Sequence, residues 1–155
     1  MIKAEIAINA PPRIVREILL DFPNLATWHD KSFFTDIKVI SPADKTTGLD
    51  LKVGDTVRVG FVGASFKGVI AENDPHLFSW IASLPFIFTG QHYFHFTPDA
   101  TDANKTLFVQ TETFTGLLDF TSAFFGAKTV ANWKRVNEEL KVAAESSWAK
   151  QQGQA

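Results

Sequence analysis

Residues 127–149 read AKTVANWKRVNEELKVAAESSWA, and this stretch decides the fold. Val130, Trp133, Asn137, Leu140 and Ala144 fall on one stripe with charges opposite, the spacing of an amphipathic helix. Ala and Glu are plentiful while Pro and Gly are missing, so the spacing predicts one long helix from Ala127 to about Ala149. Residues 151–155 read as a polar, frayed tail.

Nothing else in the chain has that period over such a length. Upstream, Ile2, Ala4, Ile6 and Ile8 alternate with Lys3, Glu5 and Ala7, which predicts a half-buried strand. Pro11 and Pro12 end it, and Pro is tolerated at a helix start because the first helical N–H has no partner anyway. Ile14, Val15, Ile18 and Leu19 then recur at helical spacing up to Asp21-Phe22-Pro23, and a second short helix or turn covers Leu25 to Trp28. Six further strands are predicted at Asp36–Ile40, Thr56–Val62, Ser65–Glu72, Leu77–Leu84, Gln91–Thr97 and Thr106–Thr115. Ser41–Asp55, Gly63-Ala64, Asn73-Asp74-Pro75, Pro85 with Gly90, and Pro98–Asn104 separate them.

The order is strand, two short helices, a run of hairpin-linked strands, then a long helix. This is an α+β domain with a curved antiparallel sheet of six to seven strands around the C-terminal helix. A twisted sheet of that width cannot be covered flatly by one helix. It curls instead and leaves space between sheet and helix.

Composition fits one domain over residues 1–150. The chain has 155 residues and a net charge of −2, which removes the basic footprint of a nucleic-acid binder. With no Cys, disulfides, thiolate metal sites and a cysteine nucleophile are excluded. No cofactor or metal is expected, and no glycine-rich phosphate loop or HExxH occurs. His29, Asp30 and Asp36 fit no known ligand spacing. The longest apolar stretch, near Trp80 to Phe88, is broken by Ser83 and Pro85, so no stable membrane insertion is expected. Lys3 and Glu5 interrupt any signal-peptide core, which makes a cytoplasmic protein the expectation and Asn104-Lys105-Thr106 a chance sequon. Phe, at 15, is over-used against one Tyr and one Met, which points to a large core or an apolar cavity. Oligomeric state is not specified.

Particular residues match a family. Ala10-Pro11-Pro12 precedes Val15, Leu19-Leu20-Asp21-Phe22 and Trp28. Leu77-Phe78-Ser79-Trp80 is followed by Gly90-Gln91-His92-Tyr93-Phe94 and Pro98. Thr106-Leu107-Phe108 with Glu112, Phe114-Thr115-Gly116-Leu117-Leu118 and Asn137-Glu138-Glu139-Leu140-Lys141 complete the set. In these features the chain resembles the START/Bet v1-like superfamily (SRPBCC, helix-grip), most of all its small polyketide cyclase/dehydrase and lipid-transport-like members. Where small relatives often have Asn-Pro after the Trp, this chain has His29-Asp30. The resemblance implies a helix-grip fold and a small hydrophobic molecule, a lipid or an aromatic polyketide-like compound, bound between sheet and helix. A cyclase, dehydratase or lyase using the same cavity is the alternative.

Alternation selects candidates. The likeness places Phe78, Trp80 and Ala82 inward, and Phe94 and Phe96 carry His92 to the same side. The set Phe108, Gln110, Glu112 and Phe114 is placed inward by the likeness, since alternation alone does not decide it. The candidate ligand-binding residues are therefore Trp28, Phe78, Trp80, His92, Phe94, Phe108, Gln110, Glu112, Trp133 and Asn137. Folding the hairpin about residue 101 or 102 sets His92 opposite 110–112. If the protein is an enzyme, His92 is its general base, Glu112 orients it, and Gln110 or Asn137 supplies an oxyanion donor. Two other readings stay open: a hydrogen-bonded pair that satisfies buried polar atoms, or Glu112 in water on the convex face. Trp28 either gates the cavity or packs the short helices on the sheet. Asn137 faces the cavity rim or bonds a nearby loop. His76 and His95 are expected to face outward, and Leu117–Phe125 is a candidate gate or membrane-touching edge.

Overall fold

The computed structural model describes residues 1–84, 88–116 and 122–153, without the side chains of 84, 88 and 122–126. The chain runs β1 (Ile2–Ile8), α1 (Pro12–Leu20), a 3-10 helix (Phe22–Thr27), β2 (Phe34–Ser41), a short 3-10 turn (Gly48–Asp50), β3 (Thr56–Phe61), β4 (Ala64–Asn73), β5 (Leu77–Leu84), β6 (Phe88–Pro98), β7 (Thr106–Gly116) and α2 (Ser122–Gly153). The strands form one antiparallel sheet in the order β1-β7-β6-β5-β4-β3-β2. Only the step from β1 to β2 is not a hairpin. The helices α1 and 3-10 fill it, crossing from one sheet edge to the other. This is the helix-grip arrangement the sequence predicts, with seven strands.

Two boundaries differ usefully from expectation. The β6 strand begins at Phe88, so Gly90 lies within the sheet, paired with Ala82, and is not part of a connection. The helix α2 continues through Gln151–Gly153, where a frayed tail was expected. The Arg13 guanidinium lies over the Trp148 ring, 5.6 Å from its centroid, and donates to Gln151 Oε1 at 3.3 Å, which ties this last turn to α1. The Leu117–Phe125 stretch lies outside the described residues, apart from the helical backbone of 122–125.

The second half of α2 is pinned on both sides. Lys141 Nζ donates to Ala7 O at 2.7 Å and Glu145 Oε1 accepts from Asn9 N–H at 2.8 Å. Across the helix, Glu139 Oε2 meets His29 Nδ1 at 2.5 Å, and Arg135 pairs with Asp30. Under this half the core is solid: Val136, Leu140 and Ala144 pack with Ile8, Ile14, Phe78, Phe94, Phe96 and Phe108, all buried. The first half of α2 meets a smaller cluster, Ile2, Ala4 and Trp133, packed with Phe33, Phe114 and Val130. Among the described residues no helix is long and apolar enough to cross a membrane.

Candidate functional site

Strand register turns the two halves of the domain into rows across the sheet. Phe78, Phe94, Gln110 and Ala4 pair in sequence along one row; Ile70, Trp80, His92, Glu112 and Ile2 along the next; Val57, Gly68, Ala82, Gly90 and Phe114 along the third. The first row is core. The third has two glycines and an alanine on three adjacent central strands, so no side chain rises there to meet α2. That row is the physical origin of a cavity of about 660 Å3. Phe33, Phe61 and Phe66 wall it on one side, Glu112 and Phe114 on the other, and Thr129 and Trp133 of α2 form the roof. Trp80 and His92 form the boundary with the solid core.

A polar chain runs back from this boundary. Gln110 Nε2 donates to Asn137 Oδ1 at 2.6 Å, which leaves Gln110 Oε1 to accept from His92 Nε2 at 2.9 Å. His92 therefore carries its hydrogen on Nε2, and Nδ1 is a bare lone pair. Nδ1 faces Glu112 Oε2 at 3.8 Å, beyond hydrogen-bond length. The imidazole stacks on Phe94, 4.3 Å between centroids, and meets Trp133 edge-on at 4.7 Å, so its plane is fixed. Among the described residues, two donors at this end have no partner: the Trp133 indole N–H and the Asn137 amide nitrogen.

Burial dominates the electrostatics. It pushes His92 down to about 3, only partly offset by its bond to Gln110. It pushes Glu112 up to about 7. Near neutral pH the imidazole is uncharged, and the carboxyl group is the one that titrates. Gly90 makes room for that carboxyl: a Cβ there would lie 3.2 Å from Glu112 Oε1 and 3.3 Å from the Phe114 ring.

Of the sequence candidates, Trp80, His92, Glu112 and Trp133 line the cavity. Gln110 and Asn137 are fully buried behind His92, so they reach the cavity only through it. Phe78, Phe94 and Phe108 face inward as expected, but they sit in the solid core under α1 and the second half of α2. Trp28 is half-buried against that same core and is not in the cavity wall, which is the packing alternative. Glu112 is on the concave side, not in water on the convex face. His76 is exposed and His95 lies on the outer face, stacked with Tyr93. His29, Asp30 and Asp36 do not come together: Asp36 pairs with Arg58, while His29 and Asp30 group with Glu139. In that group the Arg135 guanidinium pairs with both Asp30 and Glu139, and His29 Nε2 accepts the Phe34 N–H at 3.2 Å. Gly68, Ala82 and Gly90 were missed as a set. Their signal was present as small residues on inward positions of three neighbouring strands, but it needs the register to be seen as one row.

The model of the family described as polyketide cyclase / dehydrase and lipid transport matches residues 1–145. A search of curated proteins finds no match. Among solved structures, a hypothetical protein of Helicobacter pylori superposes with a TM-score of 0.67 at 11% identity, over 94% of this chain and 86% of that one. A START superfamily protein from Mycobacterium smegmatis gives 0.58 at 11% identity, over 96% and 97%. The di-domain ARO/CYC StfQ from the steffimycin biosynthetic pathway gives 0.59 at 10% identity, over 99% of this chain and 46% of that one. At these identities the structural likenesses speak for the fold alone.

Proposed function

We propose that this chain, which belongs to the polyketide cyclase / dehydrase and lipid transport family, holds a small, largely apolar molecule between its sheet and the first half of its long helix. The observation that carries this reading is the Gly68–Ala82–Gly90 row, which opens an aromatic-lined cavity of about 660 Å3 between sheet and helix. Ligand sites of drug-sized molecules are concave, mostly apolar and run to roughly 300–1,000 Å3, with a few polar groups that fix orientation. Here those groups are the Glu112 carboxyl and the Thr129 hydroxyl. The test uses Ala82→Phe, which fills the middle of the row. Native mass spectrometry of the protein from its own host, and titration with a neutral solvatochromic dye, should show a bound molecule in the parent and none in the variant. Equal dye binding by both, or by neither, overturns the reading.

A second reading is favoured by one observation, the titration of Glu112 near neutral pH in the cavity wall. General acid–base groups work best with a pKa near the working pH. In a cyclase or dehydratase acting on a polyketide-like carbonyl compound, Glu112 takes and returns the proton. His92 stands beside this carboxyl with Nδ1 3.8 Å from Oε2 and leaves the carboxylate free of a hydrogen bond. This moves to Glu112 the proton-transfer role the sequence assigns to His92. Turnover that survives Glu112→Gln but not His92→Ala would restore the original assignment.

A further inference from the structure

The charge inventory of the cavity is one-sided. Glu112 is its sole acidic residue among the described lining residues, and no Lys or Arg lines it. On the described elements packed around it, the cations are paired or exposed, the exposed Lys31 and Lys38 included. Lys3 pairs with Glu5 on the outer face of β1, Arg58 pairs with Asp36, and Arg135 pairs with Asp30 and Glu139. Lys67, Lys128 and Lys134 are exposed. The stretches 84–88 and 117–126 contain no Lys, Arg or His in their sequence.

The carboxyl is also short of donors. His92 Nδ1, 3.8 Å away on β6, is a lone pair rather than an N–H. Ile2 pairs with Glu112 from β1, and Thr129 and Trp133 of α2 line the same cavity; none of the three is charged. Among the described residues no donor lies within hydrogen-bond distance of either carboxylate oxygen, and burial is the whole cause of the carboxyl's raised pKa. The same cavity is lined by the rings of Phe33, Phe61, Phe66, Phe114, Trp80 and Trp133. An aromatic enclosure with a single uncompensated carboxylate complements a cation on an apolar body, through the ring quadrupoles and an ion pair out of water.

We propose that the cavity selects its apolar ligands by charge, taking an organic cation, a protonated amine on an aromatic or alkyl body, and rejecting carboxylates. The ammonium supplies the donors Glu112 lacks, while the apolar body fills the space above Gly68 and Ala82. A fatty acid or other carboxylate meets a like charge instead. This rests on the ligand-binding reading above and narrows its chemistry.

Three probes sharing one naphthalene body test it by calorimetry near pH 6 and pH 8: 2-(1-naphthyl)ethylamine, the corresponding alcohol, and 3-(1-naphthyl)propanoate. The amine should bind tightest near pH 8 and weaken as Glu112 takes up its proton, by up to about tenfold per pH unit below the carboxyl's midpoint. The propanoate should bind weakest, and Glu112→Gln should bring the amine down to the level of the alcohol. An alcohol or propanoate that binds as tightly as the amine near pH 8 overturns the charge selection and leaves the binding reading standing. Failure of all three probes overturns both.

Discussion

Replacing Glu112 by Gln should stabilise this protein above neutral pH and leave it unchanged in mild acid. The carboxyl's pKa is raised from 4.5 to about 7. A raised carboxyl pKa means that the folded state holds a proton the unfolded chain has already released, so stability falls as pH rises between the two values. At about 1.4 kcal/mol per pKa unit, the ionised carboxylate costs the fold on the order of 3 kcal/mol once both states are past their midpoints. His92 works from the other side. Its pKa falls from 6.5 to about 3, so the unfolded chain binds a proton the folded one refuses, and stability falls as pH drops below 6.5. Between 4.5 and 6.5 the two slopes oppose each other and nearly cancel.

The parent should therefore show a plateau across that window and a decline on either side, from Glu112 above and His92 below. Glu112→Gln removes one slope. Its amide is uncharged, as the protonated acid is, so the neutral pair is mimicked. The variant should gain stability with pH up to 6.5 and stay level beyond. Urea titrations followed by tryptophan fluorescence from pH 4.5 to 8.5 check this directly. With a urea slope of about 2 kcal/mol per molar, the variant's midpoint near pH 8 should exceed the parent's by about 1.5 M. Near pH 4.5 the two should coincide. A difference between parent and variant that is the same at both ends would refute the assignment of the titration to Glu112.

Gln110→Leu removes the link between His92 and Asn137 and strands a buried N–H and a buried carbonyl, so a loss of about 2–5 kcal/mol is expected in the same urea assay. Phe94→Ala, in the solid core, should cost about 3–5 kcal/mol. Phe61→Ala, on the cavity wall, should cost less than half of that, and equal losses would contradict the division into core and chamber. His29→Ala unpairs the Phe34 N–H and takes one of its two partners from the Glu139 carboxylate, leaving Arg135, so the melting temperature should drop by about 4–8 °C, read by differential scanning calorimetry.

How much of this could be read from the residues depends on which period each feature obeys. The period-two strands and the stripe of α2 were legible because burial of one face leaves a repeating mark. The opposition of His92 and Glu112 was legible because a hairpin centred near residue 101 or 102 fixes it by counting. Whether that row belonged to cavity or core was not, since Phe94, Phe96 and Phe108 carry the same inward mark whether a helix or a hollow lies above them. What separates the two is the position of small residues on neighbouring strands. Gly68, Ala82 and Gly90 lie 14 and 8 residues apart, and only the register brings them into line. Trp28 shows the limit of the family likeness in the same way. A tryptophan after two short helices can lie over the solid end or the hollow end, and here the solid end takes it.

The pKa values of His92 and Glu112 stand in the opposite order to their values in water, for a reason that generalises. In water the imidazole is the group that titrates near neutral pH and the carboxyl is always ionised. Burial disfavours the charged form of each, so it lowers one pKa and raises the other until their order is inverted. Folded, the pair stands at about 3 and about 7, and the single proton it holds in mild acid sits on Glu112. The Gln110–Asn137 chain reinforces this by drawing the His92 hydrogen to Nε2, away from the cavity. An ionised Glu112 faces the bare Nδ1 lone pair at 3.8 Å, which gives it no donor. Every ligand that brings a donor to Glu112 thus favours ionisation of the carboxyl, and every ligand that needs a donor from it favours the proton. The sign of the pH dependence of binding consequently reports the chemical class of the ligand.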